Sequence, residues 1–251
     1  MTHVLVTRPL ESSEQLARQL DAHGLLPIVM PFYTFSGRKP AIDIGSVWTE
    51  KRLRKLAVFT SPRAVQFGLP YIPPHDQLDG LELAVVGSAT RASLESYGYP
   101  VHLQARSGFT SEDLLRIPGL AEKPGVAVVY CAPGGRKTLA EGLSALGWRT
   151  VKALVYERLA LRPDPGQLDN LRKAGDLISI WTSISALKLA KEYLPPDVWG
   201  KILNSVALVI SSRIQHYLTQ LGADNVELAD GPGNDDLLKS ILRLTGQHNS
   251  G

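Results

Sequence analysis

The chain carries its own pattern twice. VLVTRPLESSEQLARQLDAHG (4 to 24) aligns with VVYCAPGGRKTLAEGLSALG (128 to 147), so that Pro9 meets Pro133, Leu16 and Leu20 meet Leu139 and Leu143, and Gly24 meets Gly147. ELAVVGSATRASLESYG (82 to 98) aligns with VALVISSRIQHYLTQLG (206 to 222), and Asp113-Leu114-Leu115 with Asp236-Leu237-Leu238. VFTSPRAV (58 to 65) aligns with IWTSISAL (180 to 187), placing Thr60-Ser61 on Thr182-Ser183. The offset is about 123 positions throughout, the mark of a duplication. A fold proposed for one half must therefore serve the other.

Within each copy, short apolar runs rich in β-formers alternate with stretches of helical spacing, the pattern of an α/β protein with mostly parallel sheets. Strands are expected near 3–7, 26–35, 56–60, 82–86, 100–104, 126–131, 149–160, 177–182, 205–210 and 225–229. In the first helix, Ser12 and Gln15 have the spacing of a capping box, Leu16 and Leu20 give an apolar face, and Gly24 suits a left-handed C-cap. LLPIVMPFYTF (25 to 35) and RTVKALVYERLAL (149 to 161) are long for strands, occupy equivalent places in the two copies, and end in the breakers SGRKP and RPDPG. Such strands read as crossings between domains. Two layouts are compatible with this: sequential copies, or an exchange in which residues 1–34 pack with 162–251 and the middle packs on itself.

Composition excludes more than it selects. Of 251 residues, 44% are hydrophobic and 20% charged, and 27 Lys and Arg against 24 Asp and Glu leave a net charge of +3, ordinary for a globular protein. Only KRLRK (51 to 55) is densely basic, and it reads as a solvated helix face ahead of a strand, so no nucleic-acid partner is expected. Cys131 stands alone, which rules out an intrachain disulfide and suits a reducing compartment. The first apolar run is too short for a signal peptide and no run approaches a membrane span, so a cytoplasmic protein with no membrane partner is expected. The histidines at 3, 23, 75, 102, 216 and 248 show no metal-ligand spacing, and no metal or cofactor is expected.

In open parallel sheets, ligands bind beyond the carboxyl ends of the strands, where helix N-termini present unpaired N–H groups. Those ends carry Thr7-Arg8, Thr60-Ser61-Pro62-Arg63, Gly87-Ser88-Ala89-Thr90, Gly134-Gly135-Arg136, Thr182-Ser183 and Ser211-Ser212-Arg213. Each alone is a good N-cap. Together, with arginine at four of them, they suit a large polyanionic ligand, because arginine pairs with carboxylate or phosphate. PGGRKT (133 to 138) fails as a phosphate loop, since Arg136 stands where a glycine is required. GPGNDD (231 to 236) lacks the third glycine of a dinucleotide fingerprint; Asn234, Asp235 and Asp236, like Ser111, Glu112 and Asp113, read as a cap with an acidic first turn.

FTSPRAV, VVGSATRASLESYG, VYER at 155 to 158, WTSISAL, and the closing SSR, LG and NDDLL occur in an order and spacing that resemble uroporphyrinogen-III synthases over essentially the whole chain. The resemblance implies two α/β domains joined by a two-stranded ladder: residues 1–34 with 162–251, residues 37–153, and linkers near 31–37 and 153–162. It implies cyclisation of hydroxymethylbilane, a linear tetrapyrrole with four acetate and four propionate groups, with loss of water and inversion of ring D. Thr60, Ser61, Arg63, Ser88 and Thr90 would line a cleft from the second domain, facing Thr182, Ser183, Ser211 and Ser212 from the first. The strand-end residues Thr7, Arg8 and Arg136 join the set expected to hold carboxylates. Tyr156 matches the tyrosine that assists departure of the hydroxyl; on sequence alone it also reads as a strand tyrosine packed at a domain junction. The sequence departs from some relatives at 211–213, where SSR replaces a Pro-Thr-Thr run. No cofactor is implied, and a monomer with at most transient contact with the preceding pathway enzyme is expected. A two-lobed solute-binding module and a phosphate-transferring enzyme are the competing readings of the strand-end loops.

Overall fold

The computed structural model describes residues 1–49, 53–74, 80–105, 110–134 and 137–246. Its strands, in chain order, are β1 His3–Val6, β2 Leu26–Val29, β3 Tyr33–Gly37, β4 Lys55–Phe59, β5 Leu81–Val85, β6 Leu103–Gln104, β7 Val126–Cys131, β8 Arg149–Leu154, β9 Tyr156–Ala160, β10 Leu177–Trp181, β11 Val206–Val209 and β12 Val226–Leu228. The chain divides into two compact units, Met1–Thr34 with Leu159–Gly251, and Phe35–Arg158.

Each unit holds a five-stranded parallel sheet. The first has the order β12-β11-β10-β1-β2 and the second β6-β5-β4-β7-β8. The strands of the second sheet stand third, second, first, fourth, fifth in chain order, the doubly wound arrangement. The first sheet repeats it with its fourth and fifth places filled from the N-terminus. The duplication holds at the level of register: His3 of β1 aligns with Leu177 and Leu26, and Val126 of β7 with Lys55 and Arg149.

Central strands of such sheets are covered on both faces, so they read as unbroken apolar runs. VAVVYC in β7 and LISIW in β10 are buried at every position. The apolar clusters follow the units: Val4, Leu16, Leu20, Ile180, Leu208 and Ile241 pack in the first, while Leu56, Val58, Leu139 and Leu143 form one cluster of the second and Phe59, Val65, Leu83 and Tyr130 another. Helix ends repeat as well. Gly24 and Gly147 have φ of 72° and 90°, and Gly98 and Gly222 have 79° and 100°, backbone that glycine adopts without steric cost.

The two long apolar runs are not single strands. The expected strand 26–35 splits into β2 and β3: Met30 N–H still donates to the Val6 carbonyl at 3.0 Å, and beyond Pro31 the chain leaves β1 and pairs with β9 instead. The expected strand 149–160 splits at Val155, whose N–H donates to the Cys131 carbonyl at 3.1 Å while its own carbonyl accepts from Arg38 N–H at 2.8 Å. Val155 thus passes the chain from the second sheet to the two-stranded sheet of β3 and β9. Leu161 N–H donates to the Phe32 carbonyl at 2.8 Å, the same bond one repeat away.

Three local expectations also change. The first helix runs Leu10–Ala22 from an N-cap at Pro9, so Ser12 lies inside the first turn and caps nothing. Ser13 is buried there, donating to the Arg8 carbonyl at 2.7 Å. The cap ahead of Ser111 is Thr110, which forms a capping box with Asp113, and the cap ahead of Asn234 is Gly233, whose N–H donates to Asp236. KRLRK is no helix face where it is described: the helix Ile44–Trp48 has ended, Lys55 opens β4, and Arg54 clamps Glu82 with bonds of 2.7 and 2.8 Å.

Candidate active site

A doubly wound sheet splits its loops at the switch point, where neighbouring strands send their connections to opposite faces, and leaves a crevice beyond the carboxyl ends there. In the second unit that point lies between β4 and β7, and in the first between β10 and β1.

In the second unit, Thr60 and Ser61 follow β4. Thr60 donates its hydroxyl to the Tyr130 carbonyl of β7 at 3.0 Å, tying the two strand ends together. Ser61 is the N-cap of the helix Pro62–Gly68; its backbone is extended and its Oγ accepts from Ala64 N–H at 3.1 Å. The same oxygen lies 3.0 Å from the Tyr156 hydroxyl. Tyr156 opens β9 with its ring stacked on Phe67 at 5.9 Å and edge-on to Phe35 at 5.8 Å. Arg63 lies over the Phe35 ring at 5.1 Å and donates to Gln66 at 2.6 Å. Ser88 is exposed as the first residue of its helix, behind an N-cap at Gly87, whereas Thr90 is 3% exposed. Arg136 lies outside the described residues.

A cavity of about 620 Å³ occupies this switch point, lined by Thr60, Ser61 and Tyr156 together with Val129, Cys131, Lys152 and Leu154 of β7 and β8. Ser111 and Gly134 also reach it. Sequence reasoning placed none of Lys152, Cys131 and Ser111 at a site, reading Cys131 only as a lone thiol and Ser111 as part of a helix cap. Strand alternation groups Val129 with Cys131 and Lys152 with Leu154; that the two pairs share a face follows from the register, in which Val129 aligns with Lys152 and Cys131 with Leu154. Burial pushes the Cys131 thiol up, with the charge of Lys152 pulling the other way.

In the first unit, Thr7 is 1% exposed and donates to the Ile180 carbonyl at 2.6 Å, binding the ends of β1 and β10 much as Thr60 binds β4 to β7. Arg8 is partly buried and donates to Asn234 Oδ1; burial pushes its guanidinium below the usual arginine range, with Tyr33 opposing. Ser183 caps the helix Ile184–Tyr193, accepting from Ala186 N–H at 3.1 Å, and Thr182 precedes it, partly buried. Ser211 caps the helix Ser212–Gln220, and Ser212 is exposed at its start. The Tyr33 hydroxyl is 3.4 Å from Ser183 Oγ. This tyrosine–serine pair repeats that of Tyr156 and Ser61, and sequence reasoning missed it, although Tyr33 lies one repeat before Tyr156.

A second cavity, of about 720 Å³, lies at the amino ends of β10 and β11, lined by Asp176, Lys201 and Ser205 among others. It sits at the wrong edge of a parallel sheet for a ligand, and its Lys201 amine is committed to the Arg172 and Ala174 carbonyls. Among the described residues, no group of three His, Cys, Asp or Glu side chains could hold a metal ion. No helix among them is long and apolar enough to cross a membrane.

Fold and site together define a duplicated, doubly wound α/β protein with hydroxyl-lined switch points and, in its second unit, a cavity beyond the strand ends. A family model described as uroporphyrinogen-III synthase HemD matches residues 14–239. The chain belongs to the uroporphyrinogen-III synthase family. It is 24% identical to the uroporphyrinogen-III synthase of Escherichia coli K12, with 95% of this chain and 99% of the relative aligned. It is 26% identical to that of Salmonella typhimurium over the same shares. Among solved structures, the uroporphyrinogen-III synthetase of Helicobacter pylori superposes with a TM-score of 0.62 at 19% identity, covering 97% of this chain and 99% of that one. A mutant synthase from Thermus thermophilus gives 0.57 at 17%, covering 99% and 100%. These two share the fold.

Proposed function

We propose that this protein is a cyclising hydro-lyase of tetrapyrrole biosynthesis that converts hydroxymethylbilane into uroporphyrinogen III, with loss of water and inversion of ring D. The observation that carries this reading is the family match over residues 14–239, supported by relatives aligned over nearly their full length. The chemistry of the strand ends agrees with it. Arg8, Thr60, Ser61, Arg63, Ser88, Arg136, Thr182, Ser183, Ser211 and Ser212 are the residues assigned to hold the substrate's carboxylates, using side-chain donors and the N–H groups of helix N-termini. Thr7 and Thr90 belong to the same proposed set; both are buried, and the Thr7 hydroxyl also donates to the Ile180 carbonyl.

Tyr156 is assigned the catalytic role. Its phenol donates a hydrogen bond to the departing hydroxyl, which leaves as water and yields an azafulvene. Ring D attacks through its substituted carbon to form a spiro intermediate, which breaks and recloses with that ring inverted; the ring proton lost on rearomatisation balances the one taken by the leaving hydroxyl. Ser61, held by the Ala64 N–H, positions the phenol. Holding the reacting ends together supplies on the order of 7–11 kcal/mol, against about 10²- to 10⁴-fold for one proton transfer, so positioning dominates.

The protein acts as a monomer in the cytoplasm, receiving its substrate from the preceding enzyme; a sedimenting mass well above one 27.3 kDa chain would contradict the monomer. The function is tested by supplying hydroxymethylbilane, oxidising the product, and resolving type I from type III porphyrin by chromatography. Type III is expected in excess. Type I alone, at the spontaneous rate, would sink the assignment.

A further inference from the structure

The cavity of the second unit is lined in part by an exposed cation, Lys152, that none of the preceding roles uses. Lys152 sits on β8, the edge strand of its sheet, and an edge lysine often serves only to block strand pairing. Two observations point further. Lys152 shares a face of β8 with Leu154, and both line the cavity alongside Val129 and Cys131 of β7. Its charge also acts on the Cys131 thiol, which is only 8% exposed, so its field reaches the cavity wall.

The rest of the lining indicates what such a cation would meet. Ser61 and Tyr156 offer hydroxyls, while Val129, Leu139 and Leu154 supply an apolar floor. An apolar floor with a few polar donors and one ammonium suits a flat ring bearing a carboxylate, and about 620 Å³ lies within the roughly 300–1,000 Å³ of small-molecule sites. We infer that Lys152 binds a carboxylate of one pyrrole ring of the substrate, with that ring lying on the floor formed by β7, β8 and Leu139. This rests on the function proposed above.

The test combines kinetics with the chain's single cysteine as a reporter. Lys152→Met keeps the length and apolar stem but removes the charge; its KM for hydroxymethylbilane should rise about tenfold, with the loss concentrated in KM rather than kcat. Lys152→Arg should recover most of that loss. Added salt should raise the wild-type KM more steeply than that of the methionine variant, because screening acts on the charge it lacks. Uroporphyrinogen III should slow modification of Cys131 by methyl methanethiosulfonate in the wild type, and slow it less in Lys152→Met at the same concentration. A wild-type KM in Lys152→Met, or equal protection of Cys131 in both proteins, overturns the inference while leaving the synthase reading intact. Wild-type protein that forms only type I product overturns that reading instead.

Discussion

Ser61 and Ser183 each place one oxygen between two neighbours: the N–H of the third residue of the helix that follows, and a tyrosine hydroxyl from the ladder strands. The capping half of that arrangement was legible in the sequence, because a cap depends on residues three positions apart. The tyrosine half was not, since Ser61 and Tyr156 are 95 positions apart and Tyr33 and Ser183 are 150. Replacing either serine by alanine should lower stability by about 1 kcal/mol, read as a lower urea midpoint at unchanged slope. A wild-type midpoint would show that water replaces the hydroxyl without loss. On the mechanism proposed above, Tyr156→Phe should reduce kcat by about 10²-fold and leave the product type III, because that mechanism gives the phenol the departure of the hydroxyl and gives positioning the choice of ring closure. An unchanged kcat would remove Tyr156 from the mechanism; a switch to type I would mean that it also sets the isomer.

At the scale of elements, Arg54 shows how a loop is fastened to a sheet. It precedes β4, clamps Glu82 of β5 through both carboxylate oxygens, donates to the Gly119 carbonyl and lies over the Trp148 ring at 5.2 Å. The hydrogen bond from Arg54 holds the Glu82 carboxyl below its ordinary value of 4.5, although burial works against it. A depressed folded-state pKa means that the unfolded chain binds more protons in this range, so stability rises with pH there. The contribution is therefore complete above about 4.5 and is lost as pH falls through the depressed value. Glu82→Gln should flatten the acid limb of a stability–pH curve below pH 4.5 while leaving its slope near neutrality unaltered; an acid limb as steep as that of the wild type would exclude the pair as a contributor. Nothing in KRLRK announces this role, because the partner carboxylate lies 28 positions away on a neighbouring strand.

Across the whole molecule, each described apolar cluster stays within one unit, so the two units should respond separately to damage. Gly125 offers a selective lesion: a Cβ there would come within 2.1 Å of the Arg54 carbonyl oxygen, a backbone atom with little room to yield. Gly125→Ala should destabilise the second unit by about 1–3 kcal/mol. Trp48 and Trp148 report on that unit, Trp181 and Trp199 on the other. With either pair replaced by Phe, fluorescence follows one unit in guanidinium, and the Gly125→Ala shift should appear only where Trp48 and Trp148 remain. An equal shift in both would mean that the units unfold as one. The sequence by itself determined the duplication, the α/β class and the hydroxyl-bearing strand ends, because these follow from periodicity and from caps that act over a few residues. Only the tertiary structure decided that β1 and β2 complete a sheet with β10, β11 and β12, where the long runs break, and that Lys152 shares a cavity with Ser61 and Tyr156. The physical reason is that an apolar run states only that it must be buried; its neighbours are chosen by sheet order and register, which join residues far apart in the chain.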